Sequence, residues 1–222
     1  AHERNKEVRR LSARFAAEQK SLRMFELNKR SLLFDAPYDF DAAIRYAEWD
    51  REPKKKFYMP RRKQLLPVVQ AMQRLSERKI RILGVMAPPG VGKTTIELMF
   101  MMEGLKNPDL SILMGSHSNS FLRGAYEEVG RMLDPKGEYL WKDIFPSIQV
   151  CKTNAQDMRI DLGKRKRFET FEFSSIGSGN AGKVRASNLL VADDLVPDIE
   201  SAMSKERMDK LWQQYYTDLM QR

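Results

Sequence analysis

The stretch that decides the fold is residues 80–105, which read IRILGVMAPPGVGKTTIELMFMMEGL. Its first part, residues 80–86, is an apolar run that predicts a buried β-strand. A loop with two glycines and a Lys-Thr pair follows, and residues 93–105 then predict a helix. This order of strand, loop and helix is the pattern of a phosphate-binding loop, or P-loop. We therefore expect an α/β fold with this loop at one end of its sheet.

The residue types in this loop suit a bound triphosphate. Gly90 and Gly92 let backbone N–H groups approach phosphate oxygens, because neither residue has a Cβ, and the start of the helix adds its positive dipole end. We expect Lys93 to reach the β and γ phosphates and Thr94 to offer its hydroxyl to Mg²⁺. Ala87 stands where the motif usually has glycine. The expected nucleotide-binding residues of the loop are Pro89, Gly90, Val91, Gly92, Lys93, Thr94 and Thr95.

A second apolar run, residues 189–192, ends in the pair Asp193-Asp194. Two carboxylates at the carboxyl end of a buried strand lie where ligands of open α/β sheets bind. In a P-loop protein we expect Asp193 to coordinate Mg²⁺. Asp194 is then placed to orient and deprotonate the attacking water. Many such ATPases use glutamate at that position, which is one methylene longer.

Short apolar runs alternate with helical patterns through much of the chain. This alternation predicts a central, mostly parallel sheet flanked by helices. We expect an N-terminal helical extension over residues 1–50 and a P-loop domain over residues 51–222. The apolar stripe of the first helix is expected to pack on the chain's own core or on a neighbouring subunit. Further helices are predicted over residues 7–33, 41–49, 64–75, 118–133 and 204–220, and further strands over 110–115, 148–152, 158–162 and 168–173.

The charge is uneven along the chain. Of 39 basic and 30 acidic side chains, which give a net charge of +9, residues 1–63 hold 17 basic and 10 acidic. Basic clusters occur at residues 54–56, 61–63 and 164–167. Such clusters suit a polyanion such as double-stranded DNA, because phosphate contacts release counterions. Solvated loops are the alternative reading of each cluster.

Several classes of protein are excluded by composition. The single Cys151 cannot form a disulfide framework, and we expect a reducing cytoplasm. Two histidines and one cysteine do not make a structural zinc site of the usual kind. No apolar run approaches the ~20 residues of a membrane span, so we expect no membrane partner. The chain starts at Ala1 and ends inside a helical pattern, and we expect it to be a piece of a longer protein.

Several segments together resemble the ATPase domain of the large terminase subunit, the DNA-packaging motor of tailed bacteriophages. They are MAPPGVGKTT at residues 86–95, GSHSNS at 115–120, GSGNAGKVRA at 177–186 and LLVADDLVP at 189–197. The likeness covers roughly residues 57–222. It implies a RecA-like P-loop fold and an ATP hydrolase that needs ATP and Mg²⁺ and drives double-stranded DNA into a procapsid.

The resemblance also implies roles for individual residues. Lys93 and Asp194 are the catalytic residues already argued. Arg185 looks like the arginine that reaches the γ-phosphate of a neighbouring subunit, with Lys183 as runner-up and Arg123 as a weaker candidate. Gln64, with Arg61 or Arg62, lies where an adenine-contacting motif would fall, and the alternative for these residues is a helix start with solvated charges.

Partners and location follow from the same resemblance. It implies a homo-oligomeric ring that works with a portal protein and a small terminase subunit at the procapsid, in the host cell cytoplasm. The family's nuclease domain and coupling motif are not in this sequence, although the intact protein would also be an endonuclease. Two rival functions stay open: a helicase-type nucleic-acid translocase, and a weakly hydrolysing nucleotide-binding regulatory subunit, which Ala87 and Asp194 would allow.

Overall fold

The structure is a computed structural model that describes the backbone of residues 2–177 and 185–220, with side chains undescribed at 2–13, 218 and 220. The described helices are α1 His2–Asp35, α2 Phe40–Ala47, α3 Tyr58–Ser76, α4 Lys93–Met101, α5 Asn119–Leu133, α6 Trp141–Ile144, α7 Ile199–Met203 and α8 Lys205–Gln214. The strands are β1 Ile112–Ser116, β2 Val150–Asn154, β3 Arg159–Leu162, β4 Phe171–Ser175 and β5 Leu189–Ala192. A 3₁₀-helix, Met102–Leu105, extends α4, and a π-helix, Tyr215–Met220, extends α8.

The five strands form one mixed sheet in the order β2-β3-β4-β1-β5. Strand β1 pairs in parallel with both β4 and β5, whereas β3 is antiparallel to β2 and to β4. The α/β class is confirmed, and the sheet is mixed: β2, β4, β1 and β5 run in the same direction, and β3 runs opposite to them. The connection from β2 to β3 spans only residues 155–158, and such a short link permits only an antiparallel pair.

The strand predicted over residues 80–86 is absent, and this prediction is wrong. Ile82 and Met86 are 83% and 99% exposed. A cavity of about 820 Å³ lies between residues 80–83 and the edge strand β5. A strand needs a neighbour that accepts and donates its backbone hydrogen bonds, and the edge of β5 lies across this cavity instead.

The two faces of the sheet bury different clusters, because side chains alternate along a strand. On one face the ring of Phe173 packs edge-on against Tyr126 of α5, with centroids 6.0 Å apart. On the other face Leu113 packs with Leu219 of the π-helix. A Cβ on Gly115 would lie 2.7 Å from Leu219 Cδ1, so glycine is what lets that helix approach β1.

Helix α1 is one continuous helix. Every residue from 14 to 28 is exposed, and Phe15 and Leu22 are 64% and 60% exposed. Packing begins at Phe25, whose ring lies 4.8 Å from that of Trp49, and Leu32 is buried. The apolar stripe as a whole therefore does not pack on the chain's own core, and its packing on a neighbouring subunit stays a prediction.

Polar side chains fix the starts of the other helices near the site. Asp39 accepts a hydrogen bond from Ala42 N (2.7 Å) at the start of α2, and Ser118 accepts one from Phe121 N (3.2 Å) at the start of α5. At α3 the buried carboxylate of Glu48 accepts from Phe57 N and Tyr58 N, both at 2.8 Å. No helix among the described residues is both long and apolar enough to cross a membrane.

Candidate nucleotide-binding site

The glycines of the predicted phosphate loop adopt backbone angles that other residues avoid. Gly90 has φ +80° and Gly92 has φ +92°, both in the left-handed region. Gly92 ends the loop, and α4 begins at the next residue, Lys93. The start of α4, where helical N–H groups lack partners within the helix, thus lies beside Asp193 at the carboxyl end of β5, a placement that suits an anion.

The loop and the acidic strand end meet, although 99 to 100 residues separate them in sequence. Lys93 Nζ lies 2.6 Å from Asp193 Oδ1, and Thr94 Oγ1 donates to Asp193 Oδ2 at 3.0 Å. Asp193 is 3% exposed. Its hydrogen bond to the ammonium raises the pKa of Lys93, so Lys93 stays charged at neutral pH. The structure thus brings together the three residues that the sequence assigned to phosphate and Mg²⁺.

The donor set at this meeting point fits Mg²⁺. A hydroxyl and a carboxylate are hard oxygen ligands, and Mg²⁺ is usually bound by one or two carboxylates together with waters and substrate phosphates. Within the described residues no group of three or more His, Cys, Asp or Glu is arranged to hold a metal. Thr94 and Asp193 would therefore hold the ion jointly with the phosphates of a nucleotide, after Lys93 has moved from Asp193 to those phosphates.

Glu97 is a site residue that the sequence reasoning missed. It lies one turn beyond Thr94 on α4, and its Oε2 is buried with no hydrogen-bond partner among the described residues. Burial, followed by the charge of Asp193, raises the pKa of Glu97 to about 8. Glu97 is therefore mostly protonated at pH 7. A lone glutamate in the apolar run 95–102 is the signal that could have identified it.

Asp194 is in the left-handed region, with φ +51°. Its backbone oxygen accepts from His117 N and from Ser116 Oγ, each at 3.2 Å, and His117 Nδ1 also lies within hydrogen-bond distance of it. Its side chain is 63% exposed, with Oδ2 3.8 Å from His117 Nδ1. The carboxylate thus faces solvent beside the buried Asp193. Sequence reasoning singled out residues 115–120 but gave His117 no role.

The residues expected at the adenine lie on α3 and have other contacts. Arg62 makes a two-pronged ion pair with Asp41 (2.8 and 2.9 Å), and Gln64 is exposed. The side chain that abuts the loop is Phe57, because a Cβ on Gly92 would lie 2.2 Å from its Cε2. The guanidinium of Arg61 lies 5.1 Å from the centroid of the same ring. Adenine contact by Gln64 and Arg62 stays a prediction, and Phe57 was missed.

Arg185 is not part of the site in its own chain. It lies next to Phe168, with its guanidinium 5.9 Å from that ring, and it precedes β5. Asn188 N donates to Ser111 O (2.9 Å), which places this segment at the amino ends of the parallel strands, opposite the site. Lys183 lies outside the described residues. Arg123 is exposed on α5 and donates to Ala155 O (3.2 Å).

The basic clusters are partly neutralised within the chain. Lys55 pairs with Glu138, and Lys166 pairs with the buried Asp161 at 2.8 Å. Lys54, Lys63 and Arg165 are exposed, and none of these three pairs with a carboxylate of the described residues. The surface charge available to a polyanion is therefore smaller than the sequence count indicates.

Comparison with known proteins gave no significant match to a family model, a curated protein or a solved structure.

Proposed function

We propose that this chain is the ATP-hydrolysing motor domain of a viral large terminase subunit, which uses Mg-ATP to translocate double-stranded DNA into a procapsid. The observation that carries the hydrolase part of the proposal is the contact of Lys93 and Thr94 with the nearly buried Asp193. A chance Gly-Lys-Thr sequence would not be expected to meet an acidic strand end 99 residues away. The DNA and procapsid parts rest on the sequence resemblance and on the exposed basic residues.

The placement of the side chains supports the following course for the proposed reaction. Lys93 leaves Asp193 and binds the β and γ phosphates, which the N–H groups at the start of α4 also contact. Asp194, exposed at the same strand end, accepts a proton from the water that attacks the γ-phosphorus. The bond from the γ-phosphorus to the bridging oxygen breaks, and ADP and phosphate leave. A bound Mg²⁺ supplies charge neutralisation at the β and γ oxygens.

The first test measures ATP hydrolysis by the purified chain and by Lys93→Ala. Activity should fall to background in that variant, because no other lysine of the loop can reach the phosphates. Lys106→Ala is the matched control: this lysine pairs with Glu103 at 2.7 Å on the 3₁₀ extension and should be dispensable. A Lys93→Ala protein that folds and hydrolyses ATP at the wild-type rate would remove the P-loop interpretation.

The second test separates the two carboxylates. Asp193→Asn should weaken Mg²⁺-dependent nucleotide binding. Asp194→Asn should leave nucleotide affinity intact and lower kcat by roughly 10²- to 10⁴-fold, because ground-state binding does not need the base. If Asp194→Asn binds and hydrolyses ATP as the wild type does, the water is activated by another residue.

A further inference from the structure

Three hydrogen-bond donors converge on one backbone atom, the carbonyl oxygen of Asp194. They are the backbone N–H of His117 (3.2 Å), the hydroxyl of Ser116 (3.2 Å) and the Nδ1 of His117. A carbonyl oxygen can only accept, so Nδ1 of His117 must carry the ring proton. A carbonyl oxygen has two lone pairs, so two donors are enough to satisfy its hydrogen bonding, and here there are three.

The backbone that these donors hold is one that aspartate adopts at a cost. Asp194 has φ +51°, and a residue with a Cβ meets steric repulsion in this left-handed region. Such a conformation persists where the surroundings determine it, and it is concentrated at functional sites. The direction of the Asp194 side chain follows from this backbone angle, because the Cα–Cβ bond is fixed to it.

We propose that His117 is a positioning residue for the water-activating carboxylate: its Nδ1–H, with Ser116, locks the carbonyl of Asp194 and so aims the Asp194 carboxylate at the attacking water. This inference rests on the proposed function. His117 and Ser116 lie at the carboxyl end of β1, directly before the cap of α5. Asp193 N also donates to Gly115 O at 3.0 Å. The end of β1 thus holds both carboxylates from their backbone, and two side chains, those of Ser116 and His117, contact the carbonyl of Asp194.

The test compares His117→Ala with His117→Asn. Asparagine carries an N–H donor close to the place of Nδ1, so it should restore what alanine loses. His117→Ala should lower kcat about 10-fold or more, because a small misplacement of a reacting group has a large effect on rate. Affinity for ATP, measured by titration, should change less than 2-fold. Ser120→Ala, in the same turn and bonded to Ser118 Oγ (2.9 Å), should keep the wild-type kcat.

A double-mutant cycle distinguishes positioning from general damage. In an Asp194→Asn background the carboxylate is already gone, so His117→Ala should cause no further loss of kcat. An additional 10-fold loss there, or failure of His117→Asn to restore activity, would overturn the inference. If His117→Ala does not fold, His117→Leu gives the same comparison at similar side-chain volume.

Binding of ADP with aluminium fluoride, a transition-state mimic, supplies a readout besides turnover. His117→Ala should bind the mimic about 10-fold more weakly than the wild type while its ATP affinity is unchanged. A wild-type rate and wild-type mimic affinity in His117→Ala would refute the role of His117 and leave the proposed function standing. A wild type that neither hydrolyses ATP nor binds the mimic would remove both proposals.

Discussion

Burial has a large effect on the charge of Glu172 in the middle of the sheet. This residue of β4 is fully buried, next to Arg159 of β3 in the register, and neither carboxylate oxygen has a hydrogen bond of good geometry to a described residue. Burial raises the pKa of Glu172 to about 7, and the charge of Glu169 also raises it. The charge of Arg159 and the backbone N–H groups of Arg185 and Glu169 lower this pKa, but their effect is smaller than that of burial. Glu172 therefore titrates near neutral pH.

We predict that Glu172 makes the protein less stable as the pH rises. The folded pKa of about 7 is above the 4.5 of an unfolded glutamate, so the folded state binds more protons between these values and loses stability as pH rises. Glu172→Gln mimics the protonated form. Its free energy of unfolding, relative to that of the wild type, should therefore rise by roughly 3 kcal/mol as the pH goes from 4.5 to 7.5. Urea denaturation of both proteins at a series of pH values measures this.

The exposed Glu127 on α5 supplies the control for that measurement. Glu127→Gln should follow the wild-type curve at every pH, because its carboxylate stays in water in both states. If the difference between Glu172→Gln and the wild type were the same at pH 5 and pH 7.5, Glu172 would not be the group that titrates.

At the scale of residues, the sequence predicted the site residues that belong to motifs and missed those whose place in the site depends on contacts made by the fold. The residue types and spacings of Lys93, Thr94 and Asp193 indicate their chemistry, and the structure places Lys93 and Thr94 within 3.0 Å of Asp193. Phe57 and His117 carry no such signal. Their roles arise from contacts with Gly92 and Asp194, which are 35 and 77 residues away in the chain.

At the scale of elements, α1 divides into an exposed part and a packed part, and one substitution in each part should show it. Leu32 is 7% exposed and Leu22 is 60% exposed on the same helix. Leu32→Ala should lower the free energy of unfolding by about 2–3 kcal/mol, because it leaves a cavity in the core. Leu22→Ala should change it by less than ~0.5 kcal/mol. An equal loss in both variants, measured by urea denaturation, would mean that the outer part of α1 is covered in solution.

Element types were predictable where periodicity and caps agree. Helix α5 was predicted over residues 118–133 and observed at Asn119–Leu133, with Ser118 as its cap, and β5 was predicted with its observed bounds. The strand over residues 80–86 was not predictable in the same way. An apolar run indicates that a segment favours an extended backbone. Whether the segment forms a strand depends on a neighbouring strand, and here a cavity separates residues 80–83 from the edge of β5.

At the scale of the whole molecule, the net charge of +9 gives a testable DNA surface. Four exposed members of the three basic clusters lack a carboxylate partner among the described residues: Lys54, Lys63, Arg165 and Arg167. If they contact duplex phosphates, changing each to Gln should reduce the slope of log affinity against log salt by ~0.9 per lost contact. Lys79→Gln, an exposed lysine outside the clusters that pairs with Glu77 (2.6 Å), should not alter it. Slopes that all four substitutions leave unchanged would make the clusters solvated loops.

The position of Arg185 decides whether it can act on a nucleotide bound in its own chain. Arg185 is exposed at the amino ends of the parallel strands, whereas Lys93 and Asp193 meet at their carboxyl ends. The four residues of β5 alone span about 13 Å between these two ends. In this arrangement the guanidinium does not reach a phosphate in its own chain, so any catalytic role would be exerted on a neighbouring copy.

Mixing two inactive variants tests that role. Arginines of this kind contribute roughly 10³ to 10⁵ in rate by stabilising charge on the transferred phosphoryl group. Lys93→Ala lacks a working phosphate loop and Arg185→Ala lacks the arginine, so each alone should be inactive. In a mixed assembly the intact loop of one variant meets the intact arginine of the other, and activity should reappear at concentrations where the wild type associates.

Lys79→Ala mixed with Lys93→Ala controls for simple dilution of active sites. If the two inactive variants co-assemble, as shown by light scattering, and the mixture stays inactive, Arg185 does not act across the interface and Lys183 becomes the residue to substitute.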